Sequence, residues 1–566
     1  MAIVIEVVKR GSFETTSERD EQGSMNNEHG EHNSIAVNQL GYRSQDAKVA
    51  VIAGQGGRFH IVHALNGEVV WQGHTSPAIE DVASGQTVSR GDFTAWAVPG
   101  TYRIETKYGQ ASMPFVIADE VYEDAHRALL KAFYYFRCGT KLDELHAGPW
   151  QHGACHLTPA IVHGDESRQV DAWGGWHDAG DYGKYVVPGA KAVADLLLAF
   201  EFYPEAFSQQ LPLPESDGRM PDVLHECRYE LEWMQRLQEE ESGGVFHKLT
   251  TLRFPAGDVM PEDDTAPLYL SPISATATGC FAGVMAMSSR IYSPYDEAFA
   301  ASCLQAAERA WTWLEAHPNM PGFRNPPDIA TGEYGDGQDA DERYWAAAEL
   351  YCATGEARYH EAFQALARQD SFGKYELGWA DMGGYGTFAY LMSEREEEPA
   401  LARELMAGLL QRADELAAVS DRDGYGISLL PDQYIWGSNM VVLNHAMLLL
   451  VAGRLSGSED YDRHVHEHIH YVFGANVTGM SYVTGYGTKP ILHPHHRPSE
   501  GDGVEEPVPG LVSGGPNKGL HDDYAREHLA GKAPAASFAD VMESYSTNEV
   551  AIYWNSPAVF VLSHFV

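Results

Sequence analysis

The chain has 566 residues, of which 44% are hydrophobic, so it is long enough for more than one core and too apolar for wholesale disorder. It carries 80 Asp and Glu residues against 39 Lys and Arg residues, a formal net charge of -41. A surface of this sign repels nucleic-acid phosphates and anionic lipids, which argues against both as partners. A solvated acidic surface is the simplest interpretation, although a neutral or cationic partner also suits it.

The chain has no run of 18 apolar residues, which predicts no membrane-spanning helix. Six cysteines are too few to organise the fold by disulfides.

The N-terminal segment MAIVIEVVKR has positive charges after its apolar stretch and Glu6 within it, which is not typical of a secretion signal. We therefore expect a cytoplasmic protein, or a secreted or periplasmic one if the sequence lacks a native leader. Residues 11–34 are polar with almost nothing to bury, so residues 1–34 are predicted to be a flexible leader.

Residues 35–118 alternate short β-type runs with turn signals such as Asn66-Gly67 and Pro99-Gly100. This spacing predicts a small all-β sandwich. The runs are 48–52, 59–62, 69–71 and 100–104.

From residue 119 to residue 566 apolar residues recur at helical spacing, and long Gly-, Pro- and Asp-rich connections separate the helices. The predicted helices are 123–136, 190–202, 223–238, 275–290, 298–316, 343–354, 400–420 and 438–455. The pattern predicts a large all-α domain whose long loops carry function. It is compatible with an α/α barrel, but periodicity alone does not show that the ring closes.

The first candidate for chemistry is a glycine-rich loop before a helix, which contains Asp178 and Asp181. Two carboxylates three residues apart can converge on one water molecule. The neighbouring Trp173, Trp176 and Tyr182 offer flat faces of the kind on which sugars stack. A calcium loop or a helix-capping turn is the alternative from the residues alone.

The second candidate is Glu549, which opens an apolar run that predicts a buried helix. Burial would raise the pKa of its carboxyl, as a general acid requires. A first-turn glutamate that favours the helix dipole is the alternative.

Both segments resemble glycoside hydrolase family 9, the family of many cellulases. Asp178-Ala179-Gly180-Asp181 matches the family's Asp-Ala-Gly-Asp loop. The family's C-terminal signature is met by Phe538, Asp540, Tyr545, Glu549, Ala551, Asn555 and Ser556. A further signature is met by Ser481, Val483, Thr484, Gly487, Lys489, Pro494, His495 and Arg497. The segment 37–42, VNQLGY, is similar to the opening of the immunoglobulin-like domain that precedes many family 9 catalytic domains.

The resemblance implies an immunoglobulin-like β-sandwich over residues 35–118 followed by an (α/α)6-barrel catalytic domain over residues 119–566. It implies that Asp181 is the general base, Asp178 helps to hold the attacking water, and Glu549 is the general acid. The family inverts the anomeric carbon, so the two carboxyls should stand about 6.5–9.5 Å apart. The residues implied to bind substrate are His495, Arg497, Tyr545 and Asp540, and a structural role is equally compatible with the last of these.

Cys138, Cys155, His156 and His177 form a set typical of a closed structural zinc site. Buried apolar thiols are the alternative for the cysteines. Family members with the N-terminal domain commonly carry such a zinc, so the resemblance implies structural Zn²⁺ here. Four protein ligands leave no open position for water, which argues against a metal-dependent hydrolase.

An acidic stretch over 335–342 precedes a predicted helix. The resemblance implies structural Ca²⁺ held by Asp341 and Glu342, with Asp381 from a later loop. A helix start that is acidic for dipole reasons is the alternative. The four remaining cysteines, at 227, 280, 303 and 352, are predicted to be core.

The predicted function is an inverting hydrolase of β-1,4-linked glucans, of endoglucanase type. The alternatives are an exo-acting enzyme on cello-oligosaccharides and an exo-β-D-glucosaminidase on chitosan-type oligosaccharides. A non-catalytic carbohydrate-binding protein is disfavoured because Asp178, Asp181 and Glu549 are all present. The sequence does not predict the oligomeric state.

Overall fold

The computed structural model describes residues 34–395 and 398–566. All but the last residue of the predicted leader, 1–34, lie outside the described residues, so that prediction stays untested.

The first part of the described chain is a β-sandwich, which confirms the all-β prediction. Its strands are β1 Ile35–Ala36, β2 Val49–Ala53, β3 Arg58–His63, β4 Val69–His74, β5 Ile79–Asp81, β6 Gln86–Asp92, β7 Gly100–Thr106 and β8 Phe115–Ile117. They form two antiparallel four-stranded sheets in the orders β1-β2-β6-β5 and β4-β3-β7-β8. Side chains such as Phe59, Ile61 and Ile104 alternate inward and fill the core between the sheets.

The rest of the described chain is mainly helical. Its helices are α1 Glu123–Tyr135, α2 Glu144–Ala147, α3 Val186–Phe202, α4 Asp222–Arg236, α5 Ala275–Tyr292, α6 Glu297–Ala316, α7 Ala340–Thr354, α8 Ala357–Ala367, α9 Gly383–Met392, α10 Pro399–Ser420, α11 Ser438–Ser456, α12 Asp462–Val472, α13 Arg497–Gly501, α14 Asp523–His528, α15 Tyr545–Asn548 and α16 Ile552–Ser563. The eight helices predicted above are all present, with bounds that differ by only a few residues. Among the longer helices the prediction lacked α8, α9 and α12, and it also lacked the short helices α2, α13, α14 and α15.

Six helices, α3, α5, α7, α9, α11 and α16, form a closed inner ring in which each packs against the next and α16 packs back on α3. They are apolar or small on nearly all sides, and every residue of α16 is buried. Such helices belong in the interior. Six outer helices, α1, α4, α6, α8, α10 and α12, pack against them. The ring confirms the (α/α)6 barrel that periodicity alone could not establish.

A five-stranded sheet within this part is a departure from the all-α prediction. Its strands are β9 Ala160–Val162, β10 Asp165–Val170, β11 Lys184–Tyr185, β12 Lys248–Thr250 and β13 Tyr269–Leu270. They lie in the long connections before α3 and between α4 and α5, where short pairing segments leave little periodic signal. Strand β11 leads directly into α3, so the sheet fixes the loop that carries Asp178 and Asp181.

The sandwich contacts the barrel through the segment that resembles the immunoglobulin-like opening. The Gln39 side chain donates to the Gly479 carbonyl (2.8 Å) and accepts from the Lys489 amide (2.8 Å). Arg43 donates to the carbonyl of Phe565 near the end of the chain (2.8 Å). The last sandwich strand ends at Ile117 and the first long helix begins at Glu123.

Within the described ranges, only α11 is long and apolar enough to cross a membrane by length and composition. Its 18-residue window has a mean hydropathy of 1.3, and 83% of it is buried inside the fold. Its inner-ring position accounts for its apolar composition.

Candidate active site

A cavity of about 670 Å³ opens where the loops that precede the inner helices converge. We call it the active-site cavity. Its lining residues are Asp178, Ala179, Asp181, Tyr185, Phe254, Gly332, Glu333, Tyr334, Trp379, Trp436, His495, Arg497, Tyr545, Glu549, Ala551, Tyr553 and Trp554. The structure thus brings together Asp178, Asp181 and Glu549 with three of the four predicted substrate-binding residues.

The two aspartates lie in a tight loop. The Asp178 amide donates to the Gly183 carbonyl (2.9 Å), and the Gly183 amide donates to Oδ1 of Asp181 (2.6 Å). Between them, a Cβ at Gly180 would lie 2.0 Å from the carbonyl oxygen of His495, so only glycine fits there. The loop is therefore shaped by direct contact with the His495 segment.

Asp178 is almost fully buried, and its two carboxylate oxygens differ. Oδ2 accepts a hydrogen bond from the Tyr334 hydroxyl (2.5 Å). Oδ1 is buried and has no hydrogen-bond partner in the part of the chain that the structure describes. A buried acceptor without a partner is costly unless a water or ligand satisfies it, so Oδ1 fits the predicted role of holding a water molecule.

The placement of Glu549 corrects one expectation. It is extended and follows α15, and the next helix begins only at Ile552. Its segment bridges three others through the pairs His495–Glu549, Ser513–Val550 and Ala179–Ala551. The predicted place in a buried helix is wrong, and so is the helix-dipole alternative. Backbone pairing with three distant segments of the chain keeps Glu549 extended, and the helix forms only in the apolar run that follows.

Burial raises the pKa of all three carboxyls, and mutual repulsion raises two of them further. The pKa of Glu549 is well above its usual value because of desolvation and the nearby charges of Asp181 and Asp178. Burial likewise raises the pKa of Asp181, but the Arg497 charge and the Gly183 amide oppose that rise. The ionised form of Asp181 therefore has partners that offset part of its burial, which fits a base, whereas the protonated form of Glu549 is the more strongly favoured, which fits an acid.

His495 and Arg497 are anchored to backbone on both sides of the cavity. The ring Nδ1 of His495 donates to the Met542 carbonyl (2.7 Å), so in the neutral ring Nε2 is an acceptor. The Arg497 guanidinium donates to the carbonyls of Gly180 (2.7 Å) and Pro255 (3.1 Å). Arg497 therefore ties the aspartate loop to the His495 segment, in addition to lining the cavity.

Asp540 lies elsewhere. Its carboxylate accepts the amides of Leu492 and His493 (2.9 Å each) and the side-chain amide of Asn548 (2.9 Å). It is not among the residues that line the active-site cavity. The placement gives Asp540 the structural role, holding the segment that leads to His495, and does not support substrate binding.

The aromatic residues predicted to stack on sugar are not the ones that line the cavity. Trp176 is buried and donates to Glu226 (2.9 Å), Trp173 stacks under Arg236, and the Tyr182 hydroxyl donates to the Val259 carbonyl (2.6 Å). The cavity instead presents Tyr334, Trp379 and Trp436, which sequence reasoning missed. Each of these three precedes an inner helix by a few residues, as Asp181 does, and that shared position is the signal that could have found them.

The predicted zinc ligands Cys138, Cys155, His156 and His177 come together. Their ligand atoms lie within 4.8 Å of one another, and they form the only such His, Cys, Asp and Glu group among the described residues. All four are buried, and Nδ1 of His156 is buried without a hydrogen-bond partner in the described parts of the chain. Two thiols and two imidazoles in this arrangement fit tetrahedral Zn²⁺.

The surroundings of this group also fit a metal. Asp264 lies 3.4 Å from Nε2 of His156, the second-sphere contact that orients metal-binding histidines. Backbone hydrogen bonds hold two of the residues in place: the His177 amide donates to the Phe136 carbonyl and the Cys138 amide donates to the Gly175 carbonyl (2.7 Å each). Since Asp178 follows His177 directly, an ion here would brace the aspartate loop.

The predicted calcium residues gather less tightly. Asp341 and Glu342 are buried in the first turn of α7, and three of their four carboxylate oxygens lack a hydrogen-bond partner within residues 34–395 and 398–566. Burial, together with the charges of Asp381 and Asp336, raises the pKa of Asp341 to about 6. Buried unpartnered oxygens are what a hard cation satisfies, although the group is less compact than the zinc set, and calcium stays a prediction.

The four remaining cysteines are buried in the core, as predicted, and they are free thiols.

Comparison with known proteins agrees with this site. Residues 122–562 match the family model for glycosyl hydrolase family 9, and residues 31–110 match the cellulase N-terminal ig-like domain. The first match covers well over half of the chain. The chain belongs to glycosyl hydrolase family 9 and is a glycoside hydrolase.

Its relatives include a cellodextrinase of Butyrivibrio fibrisolvens, 38% identical over 94% of this chain and 99% of that protein. Endoglucanase D of Acetivibrio thermocellus is 35% identical over 94% of this chain and 83% of its own length. A xyloglucan-specific endo-beta-1,4-glucanase of Bacteroides ovatus is 36% identical, with coverage of 94% and 93%.

Solved structures agree over the same span. A single mutant of a thermostable endoglucanase from Alicyclobacillus acidocaldarius superposes with a TM-score of 0.89 at 43% identity, covering 94% of this chain and 99% of that one. A family 9 endoglucanase described as a Zn-binding triple mutant has a TM-score of 0.86 at 35% identity, covering 92% and 99%.

Proposed function

We propose that this protein is an inverting endo-β-1,4-glucanase. The observation that carries the proposal is the convergence of Asp178, Asp181 and Glu549 in one aromatic-lined cavity, with the base and acid segments paired through Ala179 and Ala551. The endoglucanases and the cellodextrinase among its relatives support a β-1,4-glucan as the substrate.

In the proposed reaction, one water molecule is held between Asp178 and Asp181. Asp181 accepts its proton while the water attacks the anomeric carbon, and Glu549 donates a proton to the departing glycosidic oxygen. The water adds to the face opposite the leaving group, which inverts the configuration. Trp379, Trp436 and Tyr545 provide flat faces for the sugar rings, and Nε2 of His495 accepts from a sugar hydroxyl.

The metal assignments within this proposal are structural. Zinc at Cys138, Cys155, His156 and His177 would brace the base loop, and calcium at the start of α7 would compensate buried carboxylates. Neither takes part in the hydrolytic step, since Asp178, Asp181 and Glu549 carry the proton transfers.

A second candidate is an enzyme that prefers short cello-oligosaccharides. The cellodextrinase relative favours it, because that protein aligns over 99% of its length.

The test is reducing-sugar release and viscosity on carboxymethylcellulose, with parallel assays on cellohexaose, xyloglucan and chitosan oligosaccharides. Glu549→Gln serves as the blank. Rapid viscosity loss at low total hydrolysis supports an endoglucanase, and turnover of cellohexaose alone supports the second candidate. Preference for chitosan oligosaccharides would refute both, and retention of configuration in the product, followed by NMR, would refute inversion.

A further inference from the structure

A fully buried ion pair lies inside the helical ring, and the mechanism above does not use it. The Lys191 ammonium donates to Oδ2 of Asp195 (2.6 Å), one turn further along α3, and both side chains are 0% exposed. Asp195 also accepts the hydroxyls of Tyr385 in α9 (2.6 Å) and Ser556 in α16 (2.7 Å). A buried pair is weak evidence for stability, because the desolvation of two charges can exceed their attraction. What the pair holds in place is therefore the more informative property.

Lys191 extends these contacts to a fourth inner helix through Asn444 of α11. The ammonium donates to Oδ1 of Asn444 (3.3 Å), and Nδ2 of the same amide donates to the Leu377 carbonyl (3.1 Å). An ammonium can only donate and a backbone carbonyl can only accept, so these two partners fix which way the amide points. Lys191 thereby aims the donor of Asn444 at the loop that precedes α9.

That loop carries Trp379, which lines the active-site cavity two residues after Leu377. The turn between them is tight, with Gly378 bridged to Asp381, so a shift of the Leu377 backbone carries the Trp379 ring with it. A second cavity, of about 270 Å³, lies between this loop and α11, and both Trp379 and Asn444 line it. Because a cavity and not a packed layer lies behind the loop, polar contacts decide the position of Trp379 on that side.

One other polar contact borders the second cavity. Arg412 of α10 lies 3.1 Å from a carboxylate oxygen of Glu376, with the two side chains 25% and 46% exposed. Ion pairs with this much exposure contribute little. The Asn444 side chain is buried, so its bond to the Leu377 carbonyl is the stronger hold on the loop.

We propose that Lys191 and Asn444 are positioning residues that set where Trp379 stands in the active-site cavity. Lys191 aims the amide, and the amide holds the Leu377 carbonyl. Asp195 in turn fixes the ammonium against three inner helices. The inference rests on the proposed function, in which Trp379 provides a flat face for a sugar ring.

The first test is Asn444→Asp in the full-length protein, assayed on whichever β-glucan oligosaccharide the wild type cleaves best. An ionised carboxylate keeps the size of the amide and accepts from Lys191, but it cannot donate to the Leu377 carbonyl. A sugar contact made equally in the bound substrate and in the transition state affects KM and not kcat. We therefore expect KM to rise about 3- to 10-fold while kcat changes less than about two-fold.

Two further single variants accompany this test. Asn444→Leu removes the same donor without adding a charge and should give the same separation of KM from kcat, so the test does not depend on one variant folding. The matched control is Asn476→Asp, which removes donors to two backbone carbonyls near the end of α12 (2.7 and 2.8 Å) and should leave KM unchanged.

Double mutants separate positioning from a general loss of structure. In the Trp379→Ala background, Asn444→Asp should raise KM by less than about two-fold, because the ring that it positions is absent. In the Asn444→Leu background, Lys191→Met should also change KM by less than about two-fold, because its route to the loop is already cut.

An unchanged KM in both Asn444 variants overturns the inference, as does an equal rise in KM with and without the Trp379 ring. If the wild type cleaves no β-glucan, the proposed function fails and the inference fails with it. The inert wild type distinguishes that result from the other two.

Discussion

Ala179 and Ala551 pair across the floor of the active-site cavity, and the next amide, that of Ile552, donates to the carbonyl of Asp178 (2.9 Å). The pair lies between the two aspartates on one side and just after Glu549 on the other. Base and acid segments, distant in sequence, are thus held in fixed register by backbone bonds. Side-chain substitutions at the carboxyls should consequently change the chemistry without separating the segments.

The charge of Arg497 should set the position of the pH–rate profile. Arg497 lowers the pKa of both Asp181 and Glu549 against the rise caused by burial. In Arg497→Gln both pKa values rise, so the acid limb, which needs ionised Asp181, and the alkaline limb, which needs protonated Glu549, both move to higher pH. We expect a shift of about 1 pH unit in kcat/KM against pH.

Arg497→Lys keeps the positive charge and is the matched control, with limbs close to those of wild type. Its rate can fall through the lost bonds to Gly180 and Pro255, but the limb positions are the readout. A stationary alkaline limb in Arg497→Gln would contradict the assignment of Glu549 as the acid.

Zinc should bind the Cys138 group and stabilise the fold. We expect the purified protein to contain zinc by elemental analysis. Asp264→Asn should weaken zinc affinity about 10- to 100-fold, because Asp264 orients His156. Competition with a chromogenic chelator measures this. Asp328→Asn, which removes a similar contact to His163 (3.0 Å) away from the group, is the control and should leave zinc affinity unchanged. Equal zinc release from both variants would argue against the site.

Calcium should stabilise the start of α7, and more strongly at neutral than at acidic pH. The pKa of Asp341 in the folded protein is raised to about 6. In the absence of a cation, its ionisation therefore destabilises the fold as the pH rises from the pKa of an unfolded aspartate toward 6 and beyond. Below that range protons compete with the ion. The increase in Tm on adding Ca²⁺ should therefore be larger at pH 7 than at pH 5.

Glu342→Gln should abolish the calcium-dependent increase in Tm. Glu297→Gln changes a glutamate in the first turn of α6 and should retain it. Equal increases in wild type and Glu342→Gln would place any bound calcium elsewhere.

The hydrogen bonds of Gln39 between the sandwich and the barrel should contribute to the stability of the folded protein. Gln39→Leu leaves the Lys489 amide and the Gly479 carbonyl without their partner, and each such loss in a buried setting costs about 1–3 kcal/mol. We expect the free energy of unfolding to fall by at least about 2 kcal/mol in urea titrations. Gln72→Leu, on an exposed position of β4, should change it by less than about 0.5 kcal/mol.

The parts of the fold that the sequence predicted are those with strong local periodicity. The helix predicted over 275–290 is observed at Ala275–Tyr292, and its buried, apolar residues explain the success. The strands β9 to β13 were missed because each is only two to six residues long and, apart from the neighbouring pair β9 and β10, they pair with segments distant in sequence. Ring closure is likewise a tertiary property that no single segment encodes.

The candidate site divides in the same way. Asp178, Asp181 and Glu549 stood in recognisable motifs, whereas Tyr334 and Trp436 lie in long loops whose course depends on the whole barrel. The prediction that Trp176 offers a face for sugar stacking was wrong, because an aromatic residue beside the aspartate loop can pack in the core as readily as it can bind substrate. Here Trp176 is buried and donates a hydrogen bond to Glu226.

The closing of the inner ring by α16 has a consequence for how the protein is made. A growing chain presents the aspartate loop and the apolar sides of α3 and α11 long before the segment with Glu549 and α16 leaves the ribosome. Until then the nascent protein has no acid and exposes surface that favours aggregation. Hydrolytic competence should therefore arise in one late step, at the moment α16 docks, and not gradually during synthesis.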